Sequence, residues 1–161
     1  MDDKLAQTDE VWPTIINESQ ALADEYEANG WEVITITPGD VVPVPQPGDS
    51  EYSHIGLDVL VGGDMYDEVE AAVGEFNFNT AEVFRQTQNG LVYLTLIVKA
   101  VDAKQAISLP LYYRIAEAER LFSLINEGKS MGTRIRPLSG EGVTFDHDDP
   151  ELLLPDGSIY D

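Results

Sequence analysis

The chain has 161 residues, of which 30 are Asp or Glu and nine are Lys or Arg, for a formal net charge of −21, and it contains no cysteine. A single domain of this length buries roughly 70% of the surface that its unfolded chain exposes, so a core forms without covalent staples. The missing thiols exclude disulfides, thiolate metal sites, iron–sulfur ligation and cysteine nucleophiles, and the acidic balance excludes nucleic acid, whose phosphates are gripped by Lys and Arg.

Residues 1–8 read as a flexible N-terminus. Over 9–29, Val11 and Trp12, Ile15 and Ile16, Ser19, Leu22 and Ala23, and Tyr26 recur at steps of three and four, which draws one apolar stripe on a helix. Pro13 suits a first turn, and Asn29-Gly30 closes the helix because glycine readily takes the left-handed conformation. WEVITIT (31–37) is β-branched and aromatic and reads as a strand. Pro38, Pro43, Pro45 and Pro47, with Pro-Gly-Asp occurring twice, predict a long irregular loop over 38–54. GLDVLV (56–61) is a second strand. Gly62-Gly63-Asp64 then leads into a helix with Met65, Val69, Ala72, Val73 and Phe76 on one face and Asp64 as the expected N-cap.

TAEVFRQT (80–87), Gln88-Asn89-Gly90 and LVYLTLIVKAV (91–101) predict a hairpin around Asn-Gly. Its second strand is apolar on both faces and so belongs in the middle of a sheet. QAISLPLYY (105–113) is a third strand, with Pro110 near its far end. RIAEAERLFSLINEG (114–128) is helical, with Ile115, Ala118, Leu121, Phe122 and Ile125 inward and Gly128 as its stop. TRIRPL is the last strand, and 143–161 is an acidic tail anchored by Leu152 to Leu154. This order implies an α+β fold: one two-layer domain over 1–161 with a mixed or antiparallel sheet, a three-strand meander and about three helices.

Such acidity suits concentrated salt, where the Debye length is about 3 Å at 1 M and self-repulsion is screened. The opening MDDKLAQTDE is charged where a secretory signal carries an apolar run. The longest apolar stretch, LVYLTLIV, falls short of the roughly 20 residues of a membrane helix. The expected location is the cytoplasm, with no membrane partner. The charge is also uneven: residues 1–84 carry 19 acids and one base, a net of −18, whereas 85–161 carry 11 acids and eight bases, a net of −3.

The runs GWEVITITPGDVVPV, IGLDVLVGGDMYDEVE, RIRPLS and VTFDHDDPE, in that order, resemble a family of uncharacterised haloarchaeal proteins of similar length. The resemblance spans Trp12 to Glu151 and implies a salt-rich cytoplasm. It brings no activity, cofactor or site residue.

Three constellations invite chemistry. In FDHDDP, His147 with Asp146 and Asp148, joined by His54 from the proline-rich loop, offers imidazole and carboxylate suited to a divalent metal; this set motivates the alternative of a metal-dependent hydrolase, although the sequence requires no cofactor. Gly62-Gly63 before a helix is a place for phosphate, but it lacks the fingerprint glycines and the Gly-Lys-Ser/Thr of a P-loop, and Asp64, Asp67 and Glu68 repel anions. Arg134 and Arg136 lie on one face of a strand, about 7 Å apart at roughly 3.4 Å per residue, where two guanidinium forks grip a carboxylate or phosphate. With Tyr112, Tyr113 and Arg114 they form the expected contact surface of a non-enzymatic binding domain, its partner a protein or a small anionic molecule. Pairing with the chain's own acids and packing of the tyrosines are the plainer alternatives, and a homo-oligomeric subunit is a third reading.

Overall fold

The computed structural model describes residues 11–46, 54–140 and 142–155. The chain runs α1 (Trp12–Ala28), β1 (Glu32–Thr35), β2 (Asp40–Val44), β3 (Gly56–Leu60), α2 (Gly63–Glu75), β4 (Thr80–Gln88), β5 (Leu91–Ala100), β6 (Gln105–Arg114), α3 (Glu119–Asn126), β7 (Met131–Arg136) and β8 (Val143–His147), followed by a 3-10 turn at Pro150–Leu153. The fold is α+β as expected, but the strands form two four-stranded mixed sheets in place of one, ordered β1-β6-β5-β4 and β2-β3-β7-β8.

The apolar composition of β5 explains the layering, because a strand apolar on both sides needs cover on both. Val92, Leu94, Leu96 and Val98 of β5 and Ile107, Leu109, Leu111 and Tyr113 of β6 share one core with Leu57 and Val59 of β3, Ile135 of β7 and Phe145 of β8. The two sheets therefore pack face to face. On the other side of the first sheet, Leu91 and Tyr93 meet Ile15 of α1, and the buried hydroxyls of Ser19 and Ser108 satisfy one another at 2.7 Å. Tyr66 and Val69 of α2 and Leu121 and Phe122 of α3 join the inter-sheet core. The meander β4-β5-β6 is present, and its first turn has φ 55° at Asn89 and 79° at Gly90, the pair of positive values that a tight hairpin wants.

Further expectations need correction. The helix expected over 114–128 is only α3, because Arg114 ends β6 and a 3-10 turn at Ile115–Glu117 comes between. Part of the proline-rich stretch is a strand: β2 pairs antiparallel with β3 from Asp40↔Leu60 to Val44↔Gly56. It is an outer strand of its sheet, where a missing proline N–H need not interrupt a ladder on both sides. Residues 143–147, expected in a tail, form β8 and pair with β7. Pro110 sits within β6 opposite Thr95; β1 pairs with β6 only as far as Ser108, so one edge of β6 is open there. The α2 N-cap is Gly62, while Asp64 lies in the first turn, where a carboxylate still favours the positive helix end.

The C-terminal anchor holds at Leu153 and Leu154, which are buried, whereas Leu152 is exposed. Tyr113 Oη donates to Leu153 O at 2.7 Å, and Arg85 Nη1 donates to Glu151 O and to Leu154 O, each at 2.7 Å. The expected flexible N-terminus, the second Pro-Gly-Asp and the end of the tail lie outside the described residues. Among the described residues, no helix is long and apolar enough to cross a membrane.

Candidate functional site

Strands β3 and β7 run parallel, with Asp58 opposite Arg134 and Leu60 opposite Arg136. Because side chains alternate along a strand, burying Leu57, Val59 and Ile135 between the sheets turns Asp58, Arg134 and Arg136 to the outer face. There one carboxylate serves both cations. Arg134 Nε donates to Asp58 Oδ1 at 2.9 Å, and Arg136 Nε donates to Oδ2 at 2.7 Å. The Asp58 side chain is 9% exposed, those of Arg134 and Arg136 26% and 30%. Such charge-assisted bonds fix the planes of both guanidinium groups. Apart from these two bonds, the described residues give the pair one acceptor, Pro137 O at 3.4 Å from Arg136 Nη1. The cluster thus carries one net positive charge and keeps further N–H donors without an acceptor among the described residues, an arrangement that accepts an anionic oxygen.

Beside Arg134 lies a pocket of about 410 Å³ lined by His54, Ile55, Ser130, Met131, Gly132, Thr144 and Asp146. Its floor is bare because Gly56 and Gly132 face one another across β3 and β7. A Cβ on Gly56, at φ +141°, would stand 1.8 Å from Gly132 O; one on Gly132 would stand 2.7 Å from Thr144 Cγ2 and 3.3 Å from Asp146 Oδ1. Only glycine allows this approach, and the Asp146 carboxylate leans over it. His54 Nε2 donates to Leu57 O at 3.1 Å. A carbonyl only accepts, so Nε2 carries a proton in this contact.

The suggested metal ligands are divided. Asp146 lines the pocket shared with His54. His147, the next residue of β8, turns to the other face, with Nε2 2.7 Å from Thr133 Oγ1. Burial pushes its imidazole down to about 4, against the upward pull of Asp146 and Asp148, so the ring is neutral at pH 7. Asp146, His147 and Asp148 also border a larger cavity, about 670 Å³, with Phe78, Phe145 and Leu152. Among the described residues, no three of His, Asp and Glu form a group that could hold a metal ion.

The tyrosines stand apart from the arginine pair. Tyr113 points into the inter-sheet core, while Tyr112 faces α1, edge-on to Trp12 at 4.8 Å and 6.0 Å from Tyr93. Arg114 ends β6 opposite Leu91. None of the three lines the pocket beside Arg134. Sequence reasoning missed the pivotal role of Asp58 and the paired glycines. The signal for Asp58 was a lone charge inside the apolar run GLDVLV; the glycine pairing depends on strand order and left no local trace.

Fold and site together define a small α+β two-sheet domain that holds an arginine pair on a buried aspartate. The chain belongs to DUF7529, a family of unknown function, whose model matches residues 1–155. No curated protein and no solved structure matches the chain.

Proposed function

We propose that this is a non-enzymatic binding domain whose second sheet takes an anionic group at Arg134 and Arg136, from a small molecule or an acidic partner surface. The observation that carries this reading is the use of Asp58: it engages one Nε–H of each arginine, which orients both forks yet leaves the cluster positive in a chain of net charge −21. Among the described residues, no second acid stands within ion-pair distance of either arginine. Against so acidic a background, a local positive charge also steers an anion to this one face.

The medium fits a salt-rich, haloarchaeal cytoplasm, in which 30 acids against four lysines keep the surface solvated while salt screens their repulsion. The test is calorimetric titration with acetate and inorganic phosphate at fixed KCl, comparing wild type with Arg134→Lys and Arg136→Lys. These variants keep a charge for Asp58 but lose the planar fork. A saturable isotherm weakened tenfold or more in the variants supports the site; equal isotherms in all three proteins discard it.

A further inference from the structure

The charges around the pocket favour a more specific ligand than a plain anion. Asp146 lies one strand over from Gly132, and Thr144 one strand over from Arg134, so Arg134 and Asp146 are diagonal neighbours on the outer face, about 7–8 Å apart at the backbone. They do not meet. Arg134 is drawn the other way, to Asp58 at 2.9 Å, and Asp146 leans over Gly132 with no hydrogen bond or salt bridge among the described residues. One cationic edge and one anionic edge are therefore held apart across a floor that carries no side chain. A simple anion would meet repulsion from Asp146, and a simple cation repulsion from Arg134. A ligand that carries both charges meets neither.

We propose that this pocket binds a small apolar α-amino acid as its zwitterion, the carboxylate on the remaining N–H donors of Arg134 and the ammonium on Asp146. The proposal rests on the anion reading for the Arg134 end. Ile55 supplies apolar wall for the side chain, and Ser130 and Thr144 supply further polar contacts. The volume of about 410 Å³ falls in the roughly 300–1,000 Å³ range of small-molecule sites, toward its small end. Two-point recognition also gives selectivity over a monatomic anion such as chloride, which satisfies the arginine edge alone.

The experiment titrates the full chain, at fixed KCl, with L-leucine and its two one-charge analogues: isocaproate, which lacks the amine, and isoamylamine, which lacks the carboxylate. L-leucine is expected to bind at least tenfold more tightly than either. Asp146→Asn, at an exposed position that makes no hydrogen bond or ion pair among the described residues, is expected to reduce L-leucine to the level of isocaproate without weakening isocaproate, and an unchanged thermal midpoint shows that the variant is folded. If L-leucine and isocaproate bind wild type equally, the zwitterion proposal fails while the anion site stands. If neither binds, or if isoamylamine matches L-leucine, both fail.

Discussion

Replacing Asp58 with Asn keeps the side-chain shape and removes the charge that holds both guanidinium groups. The amide offers one acceptor oxygen, so of the two Nε–H donors now at 2.9 and 2.7 Å one keeps its bond and the other meets an NH2 group. A hydrogen bond to a charged group contributes about 1.5–3 kcal/mol, and breaking a fully buried pair on one side costs about 3–5 kcal/mol. Here the arginine side chains are 26% and 30% exposed, so water recovers part of that loss. The expected destabilisation is about 2–3 kcal/mol, or a fall of about 5–10 °C in Tm for a chain of this size. The assay is urea unfolding at fixed KCl followed by tryptophan fluorescence, with an unchanged m-value as the sign that the denatured state is the same. Removing any acid also relieves repulsion, so Glu25→Gln, an exposed change on α1, provides the charge-matched control. A loss within about 0.5 kcal/mol of that control, the usual scale of surface substitutions, would show that Asp58 does not organise the pair.

Other outcomes follow from the same geometry. His147 is held near 4 in the folded chain, below its ordinary value of about 6.5, so the unfolded chain takes up the proton first. Its contribution is complete above about pH 6.5 and is lost as pH falls toward 4, amounting to about 2 kcal/mol between pH 8 and pH 5. Carboxylate protonation has its own pH dependence, and the difference between wild type and His147→Gln in unfolding free energy across that window isolates the histidine; parallel curves would refute the shift. Gly56→Ala forces a Cβ to within 1.8 Å of Gly132 O at φ +141° and is expected to cost more than about 3 kcal/mol in urea unfolding. Gly74→Ala, on α2 with nothing within 4 Å of its added Cβ, is expected to stabilise by about 0.5–1 kcal/mol; the opposite order of the two would contradict the register of β3 against β7. Thermal scans from dilute buffer to molar KCl are expected to show Tm rising with salt as repulsion within a net charge of −21 is screened, and a flat response would remove the argument from salt.

Local chemistry made much of the first sheet legible. Asn89-Gly90 announced its turn because both positions need positive φ, and the two-sided apolarity of β5 announced a central strand. The two histidines and the tyrosine pair were visible as residues but not as a site, because the direction of each side chain depends on which face of its strand is buried. Tyr112 and Tyr113 occupy opposite faces of β6, and Asp146 and His147 opposite faces of β8, so adjacency in sequence meant separation in space. The second sheet was the harder part. β2 carries Pro43, which reads as a breaker until its place at a sheet edge is known. The parallel pairing of β3 with β7 joins residues about 76 apart in the chain, and no local pattern encodes such a contact. That long-range pairing is also what brings Asp58 between Arg134 and Arg136.

The most direct measurement is arginine-selective 15N NMR of the Nε–H groups during titration with acetate at fixed KCl. The Arg134 and Arg136 signals are predicted to shift together and saturate, while exposed Arg120 on α3 stays in place. Signals that do not move, or a uniform drift of every arginine including Arg120, would contradict an anion site at this pair.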